Sequence, residues 1–214
     1  MSVGGALRGA LVDFYHHSWR LFVLNACLSG FVLAVLLVGF YFAPALVLVV
    51  LVGPLAAALM HCAVTVAQTD ELELREAVSG MRLHWRRGLA LVLIAAVVAV
   101  AAAFAIPFYA RAGGWGVPLA MLAVYLVALF AVWQLSLWPL AVFERERSLR
   151  DVARDALVAV VRRPAGFTAL AVVLLVVNAA GLAAALAPFL TLTVAYSFLA
   201  AAHFVLPRGP MREA

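Results

Sequence analysis

The sequence predicts an all-α, polytopic transmembrane bundle of about six spans, with amphipathic helices along its cytoplasmic side. Three observations predict it. The 214 residues are 68% hydrophobic and only 12% charged, with a mean hydropathy of +1.13. Soluble domains carry about 45–50% apolar and about 25% charged residues, so lipid must be the solvent for much of the surface. Apolar stretches of spanning length recur along the chain. The charges between them are segregated, as the positive-inside rule requires.

A span needs about 20 apolar residues. The chain offers residues 19–42, closed by Pro44, then 45–66 with a kink expected at Gly53-Pro54, then 89–110. Gly113, Gly114 and Gly116 supply turn chemistry before the long stretch 117–143. Residues 165–186 and 189–206, divided at Ala187-Pro188, complete six. All the basic residues are arginines. On six spans every one of them except Arg111 falls on one side, which makes that side cytoplasmic and places both termini there. The protein is thus expected in a bacterial plasma membrane, as one domain over residues 1–214. No cleavable signal peptide is expected, because the first apolar stretch is too long for one and a mixed polar segment precedes it. Trp19, Trp85 and Trp115 sit at the predicted boundaries, where an apolar ring with a polar N–H is favoured.

The segments before the spans are themselves patterned. In 148–161, Ser148 through Asp151 reads as a capping box, and Leu149, Val152, Ala153, Ala156, Leu157 and Val160 share a face. In 70–87, Leu74, Ala77, Val78, Met81 and Trp85 form the stripe, with acids first and arginines last, complementing the helix dipole. In 1–18, Leu7, Leu11, Phe14, Tyr15 and Ser18 do the same. Each is expected to lie in the membrane interface or against the bundle. Each contains Leu-Arg (Leu7-Arg8, Leu74-Arg75, Leu149-Arg150) and a basic residue about three turns later (Arg20, Arg86, Arg162). Three tandem units follow, each a leading helix and two spans, forming a possible parallel repeat. Chance likeness between amphipathic helices is the alternative.

Gly53-Pro54-Leu55-Ala56-Ala57, the Leu74–Glu76 segment, Gly80-Met81-Arg82 and His84 through Arg87 together resemble the YesL-like family of bacterial membrane proteins. Trp138-Pro139-Leu140, Leu149-Arg150-Asp151 and Arg162-Arg163-Pro164 are similar to it too, so the resemblance covers most of the chain from about Trp19 onward. Ala77 stands where the family usually has Phe. The family is one of unknown function, often encoded beside sugar-uptake systems. The resemblance therefore implies a helper role in carbohydrate import, and no catalytic or binding residue.

No acidic residue falls within a predicted span, which speaks against a self-sufficient ion-coupled transporter. No Walker A sequence, zinc-protease motif or nucleophile elbow is present. Asn25, His61, Thr65, Gln134 and His203 all fall in the cytoplasmic half of their spans. They predict a polar cavity opening inward, or else hydrogen-bonded packing between helices. His61, Cys62 and His203 are ligand types that suit zinc or copper. Neighbours on a helix point about 100° apart, so no metal or other cofactor is expected. Cys27 and Cys62 read as small hydrophobes in the spans. The pairs Arg86-Arg87 and Arg162-Arg163 precede spans three and five and are candidates for gripping lipid phosphate or an acidic partner. Short juxtamembrane arginine segments exclude nucleic acid as the ligand.

The expected function is non-enzymatic, an accessory or partner subunit in solute uptake, with a lipid- or amphiphile-handling protein as the alternative. An intramembrane enzyme ranks last. The expected partners are membrane lipids, transporter subunits and further copies of the chain.

Overall fold

A computed structural model describes residues 2–184 and 192–207. All regular structure among them is helical. The helices are α1 (Val3–His16), α2 (Ser18–Tyr41), a 3₁₀ helix (Ala43–Leu51), α3 (Val52–Thr69), α4 (Leu74–Ala112), α5 (Gly116–Phe143), α6 (Leu149–Arg162), α7 (Pro164–Ala183) and α8 (Val194–Val205). Five segments are long and apolar enough to cross a membrane, and α8 is a shorter apolar helix. The chain is a multi-pass integral membrane protein with an all-α bundle fold. Of the sixth predicted span, residues 189–191 lie outside the described residues, as do Arg208, Arg212 and the Ala187-Pro188 break.

Local chemistry explains most boundaries. Ser148 accepts a hydrogen bond from Asp151 N–H and starts α6 as the capping box requires. Pro164 occupies the first turn of α7, where its missing N–H costs nothing. Gly113 and Gly114 take positive φ between α4 and α5, a conformation that disfavours other residues. Near the expected kink at Gly53-Pro54, the chain changes instead from 3₁₀ to α at Val52.

Two expectations are corrected. Residues 70–87 and 89–110 are not a separate interfacial helix and a span. Asp70 closes α3 in the left-handed conformation, and α4 then runs unbroken for 39 residues from Leu74. That is roughly 58 Å, against a hydrocarbon core of about 30 Å. Nothing at Gly88-Leu89 stops a helix, whereas Pro164 marks the corresponding start of α7. The face of α1 is also rotated in part, with Leu7 and Phe14 packing on the core as expected. Ala6, Ala10 and Asp13 point inward, while Leu11 and Tyr15 are 61% and 81% exposed. In the first turns of α4, likewise, Ala77, Gly80 and His84 are buried and Leu74, Val78 and Trp85 are exposed. The cause is the solvent. Lipid accepts large apolar side chains as readily as the interior does, so close helix contact selects small residues instead.

The packing repeats three times around the bundle. The closing helices α3, α5 and α8 all touch one another at the centre. Leu59, Met60, Ala63, Leu199, Ala200 and Ala202 contribute to the closed apolar core. Each leading segment lies on the closing helix of the preceding unit. The first turns of α4 lie on α3, α6 lies on α5, and α1 completes the circle on α8. Helices α1 and α6 have the same length of 14 residues. His61 and His203 are separated by the same number of residues as Leu7 and Leu149, and as Arg20 and Arg162. This is the arrangement a tandem parallel repeat produces. Beyond Gly88, the α4–α5 hairpin packs mainly on itself, and little of its apolar surface is buried. Arg111, at its tip, lies about 36 Å along α4 from Arg87.

Candidate functional site

The five polar residues expected to line a cavity lie at separate places, and three of them, Asn25, His61 and His203, sit in contacts between helices. His203 on α8 donates from Nε2 to Asp13 Oδ2 at 2.7 Å, and both side chains are 5% exposed. Its imidazole rests over Gly9 of α1, where an added Cβ would lie 3.5 Å from the ring. His61 on α3 packs over Gly80 of α4, with its ring 5.3 Å from that of His84. Asn25 Oδ1 accepts from Ala195 N–H at 3.0 Å, tying α2 to the start of α8. Thr65 is spent within its own helix, donating to His61 O. The side-chain amide of Gln134 is buried without a hydrogen-bond partner among the described residues. None of the five lines any of the cavities described below. Among the described residues no group of three metal-ligating side chains is assembled.

Asp13 is the functional-type residue that the sequence did not single out. Only the α1–α8 contact reveals it as a carboxylate buried in the bundle. The signal that could have found it is the repeat. The residue at its place in the second unit is Gly80, which also faces inward.

The arginines divide into two kinds. Arg87 reaches from α4 to the end of α5. Nη1 donates to Ala141 O at 2.7 Å and Glu144 O at 2.9 Å, and Nη2 donates to Arg145 O at 2.6 Å and to Arg147 O. These are the orphan carbonyls of a helix C-terminus and the link beyond it, so the four terminal N–H donors of Arg87 are already engaged. Arg20 ties the preceding unit's link in the same way, donating to Leu72 O. In that α5–α6 link Arg147 pairs with Glu144 and Asp155 at 2.6 and 2.7 Å. The hydrogen bond it donates to Asp155, then that to Glu144, holds its guanidinium above the usual arginine range. Arg86 stands over the Trp85 ring. Arg162 and Arg163 are exposed at the α6–α7 junction, and neither guanidinium meets a partner among the described residues. Replacing Arg87 with alanine is expected to lower stability by about 2 kcal/mol, because hydrogen bonds to charged groups contribute about 1.5–3 kcal/mol and water can reach part of the link. Lysine at this position should recover less than half, since it lacks the guanidinium fork. Limited proteolysis between α5 and α6 reads the loosening directly, and an unchanged cleavage rate would contradict the clamp.

Helix α7 touches its neighbours sparsely. A cleft of about 390 Å³ lies on its α2 side, lined by residues that include Leu28, Leu33, Leu36, Ala56, Leu182 and Phe198. A second of about 440 Å³ lies between α7 and α5, with Ala128, Ala131 and Leu135 on one wall and Ala171 and Leu175 on the other. Both are almost wholly apolar. In the second, Asn178 Nδ2 donates to Ser197 Oγ at 2.8 Å and to Leu174 O at 2.7 Å.

The class these features define is a polytopic helical membrane protein with lateral apolar clefts and a basic rim. Compared with protein-family models, curated proteins and solved structures, the chain matches none significantly.

Proposed function

We propose that the protein binds membrane amphiphiles laterally, in the clefts beside α7. The observation that carries this reading is the pair of apolar clefts flanking one sparsely packed span. Protein interiors are close-packed, with few voids larger than a water molecule. In a membrane, an apolar recess beside a span is accessible to acyl chains. The reading also agrees with the guanidinium groups of Arg162 and Arg163, which meet no partner among the described residues.

A second reading, an accessory subunit beside a transporter for carbohydrate or another solute, rests on the likeness to YesL-like proteins. One observation favours it. The outer α4–α5 hairpin leaves apolar surface on most sides, available to the spans of a partner. Extraction from the native membrane in a mild detergent, followed by mass spectrometry of lipid and protein together, separates the two. A lipid that persists through delipidating washes, with no stoichiometric protein, is the expected result. Stoichiometric transporter subunits without retained lipid would replace the first reading by the second.

A further inference from the structure

We infer that the α5–α7 cleft is an anionic phospholipid site, taking one acyl chain between the helices and the head group at Arg162 and Arg163. This deepens the amphiphile reading and rests on it.

The dimensions support a single chain from one leaflet. On α7 the lining runs from Thr168 to Asn178, about 15 Å at 1.5 Å per residue. That is half of a hydrocarbon core of about 30 Å. The shallow end is set by sequence. Thr168 follows Arg163 by just over one helical turn, and Pro164 opens α7 between them. On the facing wall α5 runs antiparallel, with Leu135 toward the arginine side and Ala128 deeper. A chain entering beside Thr168 therefore passes Ala171 and Leu175 on one wall and Ala131 on the other, and ends near Asn178.

Charge decides the head group. Of the four arginines in the two matching pairs, Arg87 is held by carbonyls and Arg86 covers an indole. Arg162 and Arg163 are exposed, about one helical turn before Thr168, the first α7 residue of the cleft, with no carboxylate paired to either among the described residues. The first turn of α7 adds the positive end of its dipole on the same side. A phosphodiester with net negative charge is complementary to this rim. A zwitterionic head group gains less, because its ammonium meets the same arginines. Neither cleft has an arginine in its lining, but the α2–α7 cleft meets α7 only at Leu182, at the far end of that helix from Arg162 and Arg163, and is not assigned a head group.

The test uses the purified full chain, delipidated in a neutral detergent and titrated with phosphatidylglycerol or phosphatidylcholine under native mass spectrometry. The unaltered protein is expected to favour phosphatidylglycerol. Each arginine near a membrane surface contributes about a five-fold preference for anionic lipid, so R162S/R163S should lower the preference roughly twenty-fold while leaving chain binding in place. Ala171→Trp and Ala131→Trp fill the cleft from opposite walls, and each should abolish most phosphatidylglycerol binding. The surface double variant leaves helix packing untouched, so it decides the matter even where a tryptophan variant misfolds. Undiminished binding in folded tryptophan variants, or a preference that survives loss of both arginines, would overturn this site while leaving amphiphile binding elsewhere intact. No uptake of either lipid would remove both.

Discussion

Replacing Asp13 with leucine is expected to destabilise the protein by about 1–3 kcal/mol, the cost of leaving the buried His203 side chain without this hydrogen bond. The residue is 3% exposed, and its carboxylate meets His203 inside the α1–α8 contact. His203→Leu should cost a similar amount, since it removes the other side of the same hydrogen bond. The double replacement should recover part of the loss, because replacing both partners of a buried hydrogen bond by apolar groups can be nearly neutral. Unfolding of the detergent-solubilised protein, measured for both single variants and the pair, closes the cycle. Additive losses would mean that the carboxylate and imidazole do not depend on each other.

A side chain at Gly88 should have a comparable effect through a different cause. A Cβ there would lie 2.3 Å from Gly53 O, and one at Gly53 would lie 2.5 Å from Gly88 O. These obstacles are backbone atoms, which cannot rotate aside as a long side chain does. Overpacking typically costs about 1–3 kcal/mol, and Gly88→Val belongs at the top of that range because α3 and α4 must separate as whole helices. The measurable consequence is a lower midpoint of thermal unfolding, together with faster alkylation of the buried Cys62 on α3. A stability within about 0.5 kcal/mol of the unaltered protein would show that the helices do not approach so closely.

How much of this was legible beforehand differs from element to element. Apolar length located the five segments long enough to cross a membrane, and turn chemistry located Gly113-Gly114 and Ser148. Helix order did not follow, because an apolar side chain in a membrane helix faces lipid and interior with equal ease. That same ambiguity turned part of the expected faces of α1 and early α4 outward. Gly88 gave no stop signal of its own, so α4 runs on where a break was expected. Asn25 and His203 were visible as polar residues in spans, but not their partners. Those come from α8 and α1, which sequence separation alone does not join. The arginine pairs looked alike in sequence. They differ because only Arg87 lies within reach of a helix C-terminus.

The circular docking of the leading helices also bears on how the bundle is made. Chains emerge from the ribosome N-terminal end first, so α1 is synthesised before every helix that follows it. Its resting place is on α8, the last described helix. The Asp13–His203 hydrogen bond therefore cannot form until α8 has been made, and the pair reports whether the α1–α8 contact has closed.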